Sequence, residues 1–235
     1  WYGLNNHPIK NIEKIYLTAS GGPLLNVPYN KFNKLKIRQI LKHPNWNMGS
    51  KISVDSSTMM NKIFEIIEAK KIFNLNYNQL SIFIHPESYI HGIIKFNDGM
   101  IKLIAHETTM DIPILNTLSS TQKINFKSKE INLSKLNNLK LSKINKKKFP
   151  LIKILNKLPN KESLFETVIV TINDHLVSLF LNKKITYLEL IKNLFNLLLN
   201  NEFNKYKFIE PKKITDIYSL NNLIKSQINQ NFKND

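Results

Sequence analysis

The chain has 235 residues, no cysteine and a formal net charge of +17 at pH 7, a length that allows one large domain or two smaller ones. A hydrophobic fraction of 42% with 10% aromatic residues is typical of a folded protein and excludes wholesale disorder. The lack of cysteine excludes disulfides and thiolate sites, and no apolar run reaches the roughly 18 residues of a membrane-spanning helix.

The positive charge comes almost entirely from lysine, because Arg38 is the only arginine among the 34 basic residues. Base readout and bidentate phosphate contacts favour arginine, with its planar guanidinium group. Lysine, asparagine and isoleucine are also the residues that an AT-rich coding sequence over-produces. We therefore interpret the charge as a solvated surface that can steer an anionic substrate. A chain that binds nucleic acid is the alternative.

In chain order, the first candidate element is an apolar stretch at residues 15–17 that leads into TASGGP at residues 18–23. A strand that ends in Ser-Gly-Gly lets backbone N–H groups approach a ligand closely, so this segment is a candidate anion-binding loop. A plain turn is the alternative.

The next segment, HPNWNMG at residues 43–49, is predicted to be a loop that carries large side chains. Its tryptophan and methionine could cap a core. They could equally form the apolar underside of a lid that closes over a ligand and excludes water.

A helix is predicted over residues 57–72, with Asn61, Glu65 and Glu68 within a sector of about 60° and Lys62 to one side. The polar run Asp55-Ser56-Ser57-Thr58 would lie at the start of this helix. Because a helix N-terminus with hydroxyl groups is a natural phosphate cradle, the face is a candidate phosphate site. An ordinary solvated face is the alternative.

Strand signals follow the predicted helix. Residues 80–84 form a short apolar strand, and two β-type runs in residues 92–104 flank Asn97-Asp98-Gly99, a strong hairpin signal. His85 and His91 lie between these strands, at a spacing that fits no common metal site, so we assign them packing or hydrogen-bonding roles. Together with the helix, the strands predict an α+β domain with a mixed or antiparallel sheet.

The rest of the chain changes in character. Residues 119–149 are polar and rich in lysine, and are predicted to form an extended connection. Residues 150–235 are predicted to form a C-terminal helical bundle, with capping boxes at Ser163–Glu166 and Thr186–Glu189 and weaker helix starts near Pro150 and Asp216. The predicted domains are therefore an α+β domain over residues 1–118, the connection over residues 119–149 and the bundle over residues 150–235.

Four segments together resemble the 1-deoxy-D-xylulose 5-phosphate reductoisomerase family: SGGP at residues 20–23, HPNWNMGSKISVDSSTMMNKIFEIIEA at 43–69, IHPESYIHG at 84–92 and MDIPI at 110–114. The long segment is highly specific, and the resemblance covers about residues 10–118 well. It implies an enzyme that uses NADPH and Mg²⁺ or Mn²⁺ to convert 1-deoxy-D-xylulose 5-phosphate to 2-C-methyl-D-erythritol 4-phosphate in non-mevalonate isoprenoid biosynthesis. It also implies that residues 1–118 form a partial catalytic domain, and that the enzyme is a homodimer joined through the central sheet. From the absence of a long apolar run we expect no membrane partner, and from the lysine-dominated charge we do not favour a nucleic-acid partner.

The resemblance further implies roles for individual residues. It assigns the substrate phosphate to Ser20, Ser56, Asn61 and Lys62. Glu65 is implied as a catalytic residue, a metal ligand and a substrate contact. His43, a second implied catalytic residue, contacts substrate from a mobile flap that also holds Trp46 and Met48, and Gly49 lies by NADPH.

The chain also departs from the family pattern. It contains neither the Gly-rich dinucleotide fingerprint nor the family's Asp-Ser-Glu metal segment, so we expect it to hold only the central and C-terminal parts. Ile63 and Leu24 replace Gly and Phe, and VTIND at residues 170–174 replaces Asn-Ala-Ala-Asn-Glu. A diverged relative without catalytic activity is therefore one alternative, and a lysine-rich nucleic-acid-binding module is another. The composition suits an AT-rich genome, which places the protein in a plastid-type organelle such as an apicoplast or in a bacterial cytoplasm.

Overall fold

The computed structural model describes residues 1–5, 7–46, 48–118, 129–199 and 201–231. The chain forms two compact units, each built from two segments. One, here called the sheet unit, comprises residues 1–21 and 78–144, and the other, the helical unit, comprises residues 22–77 and 145–235.

The sheet unit is built on five strands: β1 (Ile12–Ala19), β2 (Leu80–Ile84), β3 (Ile90–Phe96), β4 (Ile101–Ala105) and β5 (Ser142–Lys143). Their order is β4-β3-β1-β2-β5, in which β1 pairs parallel with β2 and antiparallel with β3. The mixed sheet predicted from the sequence is thus confirmed. The predicted strand at residues 80–84 and the β3–β4 hairpin are confirmed as well, and Gly99 takes the positive φ of 89° that its turn requires.

Two helices complete the sheet unit, α4 (Asp111–Leu118) and α5 (Leu133–Asn137). The second of these was not expected in the predicted extended connection. Residues 119–128 of that connection lie outside the described residues. His85 is fully buried, where its Nδ1 donates to the Lys140 carbonyl at 2.9 Å and its Nε2 accepts from the Tyr89 N–H at 3.1 Å. The hydrogen-bonding role predicted for this histidine is confirmed.

The helical unit contains α1 (Ile37–Leu41), α2 (Ser50–Thr58), α3 (Met60–Phe73), α6 (Phe165–Leu181), α7 (Tyr187–Leu199) and α8 (Ile214–Asn231). Helix α6 is the centre of its core, since it packs against α2, α7 and α8. The helices predicted to start at the capping boxes Ser163–Glu166 and Thr186–Glu189, and near Asp216, are confirmed. The weak helix predicted at Pro150 is a 3₁₀ helix, Pro150–Lys157.

The predicted caps explain where α6 and α7 begin. Ser163 Oγ donates to the Glu166 carboxylate at 2.8 Å and accepts from the Phe165 N–H at 3.2 Å. At α7 the box is reciprocal, because Glu189 accepts from the Thr186 N–H and Thr186 accepts from the Glu189 N–H. Among the helices that the structure describes, none combines the length and apolar character that a bilayer crossing demands.

The three-part domain division at residues 118 and 149 stays a prediction. It follows the order of the chain, whereas each compact unit of the structure joins an early segment to a late one. In particular, α1, α2 and α3 belong to the same unit as the C-terminal helices.

Candidate functional site

Helix α2 ends and α3 begins at Met59, a buried residue in the left-handed region with φ 67° and ψ 7°. The single helix predicted over residues 57–72 is therefore wrong at its start. Residues 55–58 form the last turn of α2, and the helix N-terminus in this region is that of α3, at Met60. A bulky residue adopts the left-handed conformation only where the surrounding packing enforces it.

The hydroxyl groups of this segment do not form the predicted cradle as a group. Ser57 Oγ donates to the Val54 carbonyl at 2.6 Å, and Thr58 Oγ1 donates to the Asp55 carbonyl at 3.1 Å, so both side chains bond within the last turn of α2. Ser57 and Thr58 are buried, whereas Ser56 is half-buried. Ser56 is thus the hydroxyl of this run that keeps access to a ligand.

The first two turns of α3 carry a compact polar cluster formed by Asn61, Lys62 and Glu65. Asn61 Nδ2 donates to Glu65 Oε1 at 2.7 Å, and Lys62 Nζ lies 2.5 Å from Glu65 Oε2. The Lys62 side chain is 14% exposed and that of Glu65 36%, whereas Glu68 is exposed. The structure therefore brings together the amide, the ammonium and one carboxylate of the predicted face.

This cluster has two chemical capabilities. The ammonium of Lys62 and the positive end of a helix dipole are suited to an anion, although the N–H of Met60, the first residue of α3, already donates to Thr58 Oγ1 at 3.3 Å. The carboxylate of Glu65 is a hard oxygen ligand suited to Mg²⁺ or Mn²⁺. Ile63, between them in sequence, is fully buried, so the replacement of the family's Gly is accommodated in the core.

Within the helical unit, Gly22 lies against the backbone of Ser56. Gly21 and Gly22 have φ of 90° and 66°, and a Cβ added to Gly22 would lie 2.7 Å from the Ser56 carbonyl oxygen. Glycine is thus required both for the conformation and for the close approach. Ser20 is half-buried and lies in the sheet unit, so its part in phosphate binding stays a prediction.

The predicted loop at residues 43–49 is confirmed as far as it is described, since Asn47 lies outside the described residues. Its shape is set by His43, whose Nδ1 accepts from the N–H groups of Asn45 at 3.2 Å and Trp46 at 3.1 Å. An acceptor nitrogen is unprotonated, and partial burial lowers the pKa of His43, which favours the same neutral form.

The two large side chains of this loop, Trp46 and Met48, are half-buried. They are therefore neither members of the helical core nor fully solvated. Gly49 is exposed at the N-cap of α2, where its carbonyl accepts from the Ser53 hydroxyl at 3.0 Å. The flap and NADPH roles of these residues stay predictions.

Sequence reasoning missed a set of contacts between α2 and the C-terminal helices. Asn173 Nδ2 donates to Asp55 Oδ1 at 2.8 Å, and the Tyr187 hydroxyl donates to Ser57 Oγ at 3.0 Å. The partners are 118 and 130 residues apart, so no local pattern could reveal them.

Two family models match this chain. A family model described as the 1-deoxy-D-xylulose 5-phosphate reductoisomerase C-terminal domain matches residues 1–73. A second, described as the DXP reductoisomerase C-terminal domain, matches residues 106–227. The chain belongs to the 1-deoxy-D-xylulose 5-phosphate reductoisomerase family. The resemblance inferred from the four segments is thereby confirmed.

Curated relatives carry the same name. The 1-deoxy-D-xylulose 5-phosphate reductoisomerase of Pelagibacter ubique is 53% identical over 228 residues, which are 97% of this chain and 59% of that protein. The reductoisomerase of Persephonella marina is 36% identical over 88% of this chain and 54% of its own length. The chain thus spans somewhat more than half the length of these reductoisomerases.

Solved reductoisomerase structures share the fold. A crystal structure of DOX-P reductoisomerase in complex with NADPH, fosmidomycin and magnesium matches with a TM-score of 0.83 and 27% identity. The match covers 98% of this chain and 57% of that one. The enzyme from Zymomonas mobilis in complex with NADPH matches with a TM-score of 0.82 and 25% identity, over 98% of this chain and 58% of that one.

Proposed function

We propose that this chain supplies the substrate-binding and C-terminal parts of an NADPH- and divalent-metal-dependent 1-deoxy-D-xylulose 5-phosphate reductoisomerase. The product is 2-C-methyl-D-erythritol 4-phosphate, an intermediate of non-mevalonate isoprenoid biosynthesis. The observation that supports this most directly is the cluster of Asn61, Lys62 and Glu65, which puts an anion site and a carboxylate one turn apart on α3. Reductoisomerases of known structure have been solved with NADPH and with magnesium.

In this proposal the substrate phosphate lies at the first turn of α3. Lys62 neutralises it, Asn61 donates a hydrogen bond and Ser56 adds a hydroxyl donor. Lys62 would exchange its bond to Glu65 for one to the phosphate. That exchange would leave the Glu65 carboxylate available at the other end of the substrate.

This chain would supply only part of the ligand set of a divalent cation. Glu65 suits it as one hard ligand, but the described residues contain no group of three or more carboxylate, imidazole or thiol side chains that could hold a metal. Further ligands would come from other parts of the enzyme and from the substrate. When bound, the cation would polarise the substrate carbonyl during the skeletal rearrangement, and NADPH would supply the hydride for the reduction.

The other residues of this chain would control access and position. His43 organises the loop through its neutral Nδ1 and would contact substrate, while Trp46 and Met48 would close over it and exclude water. Gly49 would let the cofactor approach the start of α2.

The proposal extends to assembly and location. The sheet ends at β4, whose Ile101 and Leu103 are 59% and 50% exposed. An exposed apolar edge strand is a ready site for pairing, which supports a homodimer joined through the sheet. The relatives are bacterial enzymes, which supports a bacterial cytoplasm for the whole protein.

The test is substrate-dependent NADPH oxidation by the full-length protein with Mg²⁺ or Mn²⁺. We expect turnover with at least one metal, a large loss of kcat in Glu65→Gln, and near-normal kcat in Glu68→Gln, a matched change at an exposed position of the same helix. No turnover with either metal would instead support a non-catalytic relative. DNA affinity that falls steeply with salt would support the nucleic-acid alternative.

A further inference from the structure

Helix α2 is joined to α6 by buried polar contacts at Asp55. The Asp55 carboxylate accepts from Asn173 Nδ2 at 2.8 Å and pairs with Lys51 Nζ at 2.8 Å. Asn173 is fully buried, and the Asp55 side chain is 2% exposed. Lys51 also pairs with Asp174 at 2.9 Å, which adds a second connection to α6.

The same turn of α2 is joined to α7 through Ser57. The Tyr187 hydroxyl donates a hydrogen bond to Ser57 Oγ at 3.0 Å, and Ser57 Oγ in turn donates one to the Val54 carbonyl. Tyr187 is among the largest fully buried side chains, and burial raises its pKa, so the hydroxyl stays a donor at any physiological pH.

Lys51 extends these contacts to α3. Its ammonium lies 5.0 Å from the centroid of the Phe64 ring, within the range of a cation–π contact. One lysine therefore connects α2, α3 and α6. We call the set of Lys51, Asp55, Ser57, Asn173, Asp174 and Tyr187 the α2 anchor.

The residue between the two anchored positions is Ser56. Consecutive helix residues point about 100° apart, so fixing residue 55 towards α6 and residue 57 towards α7 also fixes the direction of residue 56. Three residues further on, Met59 turns the chain into the first turn of α3. The α2 anchor therefore fixes the rotation of α2 on which both the Ser56 hydroxyl and the α3 N-terminus depend.

The polar nature of these contacts indicates positioning rather than simple stabilisation. Apolar side chains of similar volume often stabilise an interface as well as a buried ion pair does. Hydrogen-bonded partners have fixed directions and distances, so they favour one rotation of α2 over its neighbours. Functional groups must be held within about 0.5 Å of a productive geometry to act well.

We infer that Asn173 and Tyr187 are positioning residues for phosphate binding, acting through Asp55 and Ser57 on Ser56 and the first turn of α3. The inference rests on the proposed function and deepens it. It assigns a role in substrate affinity to the C-terminal helices, which carry none of the predicted phosphate contacts.

The experiment uses the full-length protein with Tyr187→Phe, which removes one oxygen atom, and Asn173→Ala. The control is Asn221→Ala, which removes a hydrogen bond of 3.0 Å from α8 to Thr171 of α6 but does not reach α2. We expect the KM for the phosphorylated substrate to rise about 3- to 10-fold in both anchor variants, with kcat changed by less. The control should keep the wild-type KM, even if its melting temperature falls by as much as that of the two anchor variants.

Inorganic phosphate, titrated by ³¹P NMR, separates this inference from the proposed function. Weaker phosphate binding in Tyr187→Phe than in Asn221→Ala supports the α2 anchor, whether or not the wild-type protein turns over substrate. Wild-type turnover with KM and phosphate affinity unchanged in Tyr187→Phe would overturn the inference and leave the proposed function standing. A wild-type protein that neither turns over nor binds phosphate would overturn both.

Discussion

Lys62 and Glu65 illustrate how two neighbouring residues can have separable effects on one reaction. Their side chains form an ion pair at 2.5 Å, yet Lys62 is proposed for the phosphate and Glu65 for the metal. Phosphate binding is similar in the ground and transition states, so its loss acts mainly on KM.

Lys62→Ala in the full-length protein should therefore raise KM by roughly 10- to 150-fold with a much smaller change in kcat, the size expected for one charge-assisted contact. Steady-state kinetics measure this. Lys34→Ala removes an exposed lysine of the same unit and should leave KM nearly unchanged. An equal effect of the two changes would show that general charge steering, not a local contact, carries the affinity.

His43 makes the loop at residues 43–49 sensitive to pH. The pKa of this imidazole is lowered by burial, so an ordered loop resists protonation more than a disordered one. The contribution of neutral His43 to loop order is then fully present above the ordinary histidine pKa of about 6.5 and decreases as pH falls below it. Protonation would also remove the acceptor that holds the Asn45 and Trp46 N–H groups.

An NMR titration of the His43 ring protons in the full-length protein should give a pKa below about 6.5. The fluorescence of Trp46 should change over the same pH range. His43→Gln keeps an acceptor but has no titrating group, so it should abolish that change. A pKa above the ordinary value would contradict the hydrogen bonding described here.

Single residues were predicted well wherever the chemistry was local. Helical spacing placed Asn61, Glu65 and Glu68 in one sector with Lys62 to one side. In the structure Asn61 and Lys62 both lie within hydrogen-bond distance of Glu65, whereas Glu68 is exposed. Asp55 and Ser57 were misjudged as part of a phosphate cradle, because their partners Asn173 and Tyr187 come from distant parts of the chain.

Among the elements, the break between α2 and α3 is the feature that could not be predicted from the sequence. Helix ends are usually marked in the sequence by glycine, proline or a capping residue, and the starts of α6 and α7 were predicted from capping residues. At Met59 the left-handed conformation falls on a buried methionine instead. The helix propensity and the apolar periodicity of the sequence continue across Met59 without a stop signal. The break is therefore imposed by tertiary packing.

Matched substitutions can test this conformation. Met59→Ala should lower the free energy of unfolding by about 2–5 kcal/mol, because it removes a buried side chain. Met59→Gly should cost about 1 kcal/mol less than alanine, since glycine adopts the left-handed region without strain. At Met60, which is buried and helical, the order should reverse and glycine should cost about 1 kcal/mol more. Urea unfolding compares the four variants, and the same order at both positions would contradict a left-handed Met59.

At the scale of the whole molecule, the sequence predicted a division in chain order, whereas the compact units combine early and late segments. Periodicity and capping report on neighbours within a few residues, so they indicate α2 and α6 as helices but not that they pack together. The fold class could be predicted because strands and helices are local, and because four segments resemble a known family.

Assembly through the edge of the sheet gives another prediction. Ile101→Lys would place a charge on the exposed edge strand β4, where it opposes strand pairing. We expect the full-length protein to shift from dimer to monomer in light scattering after size exclusion. Ile72→Lys, at a 64% exposed position of α3, should leave the mass unchanged. A dimer that survives Ile101→Lys and a similar change at Leu103 would place the interface elsewhere.

A metal-binding measurement tests whether these 235 residues alone can hold the divalent cation. Mg²⁺ and Mn²⁺ favour six oxygen ligands, and a single carboxylate cannot replace the water around them. Glu65 is the one proposed ligand here, and its oxygens already accept from Asn61 and Lys62. A polypeptide of residues 1–235 should therefore show no Mn²⁺ site tighter than about 0.1 mM by calorimetry.

The full-length protein should bind Mn²⁺ more tightly, and Glu65→Gln should weaken that binding while Glu68→Gln does not. A submicromolar site in the polypeptide would contradict this prediction. Its response to Glu65→Gln would then locate the missing ligands. Loss of the site would mean that Glu65 has metal-binding partners within these residues, whereas its survival would mean that the metal binds elsewhere and that the α3 cluster serves only the phosphate.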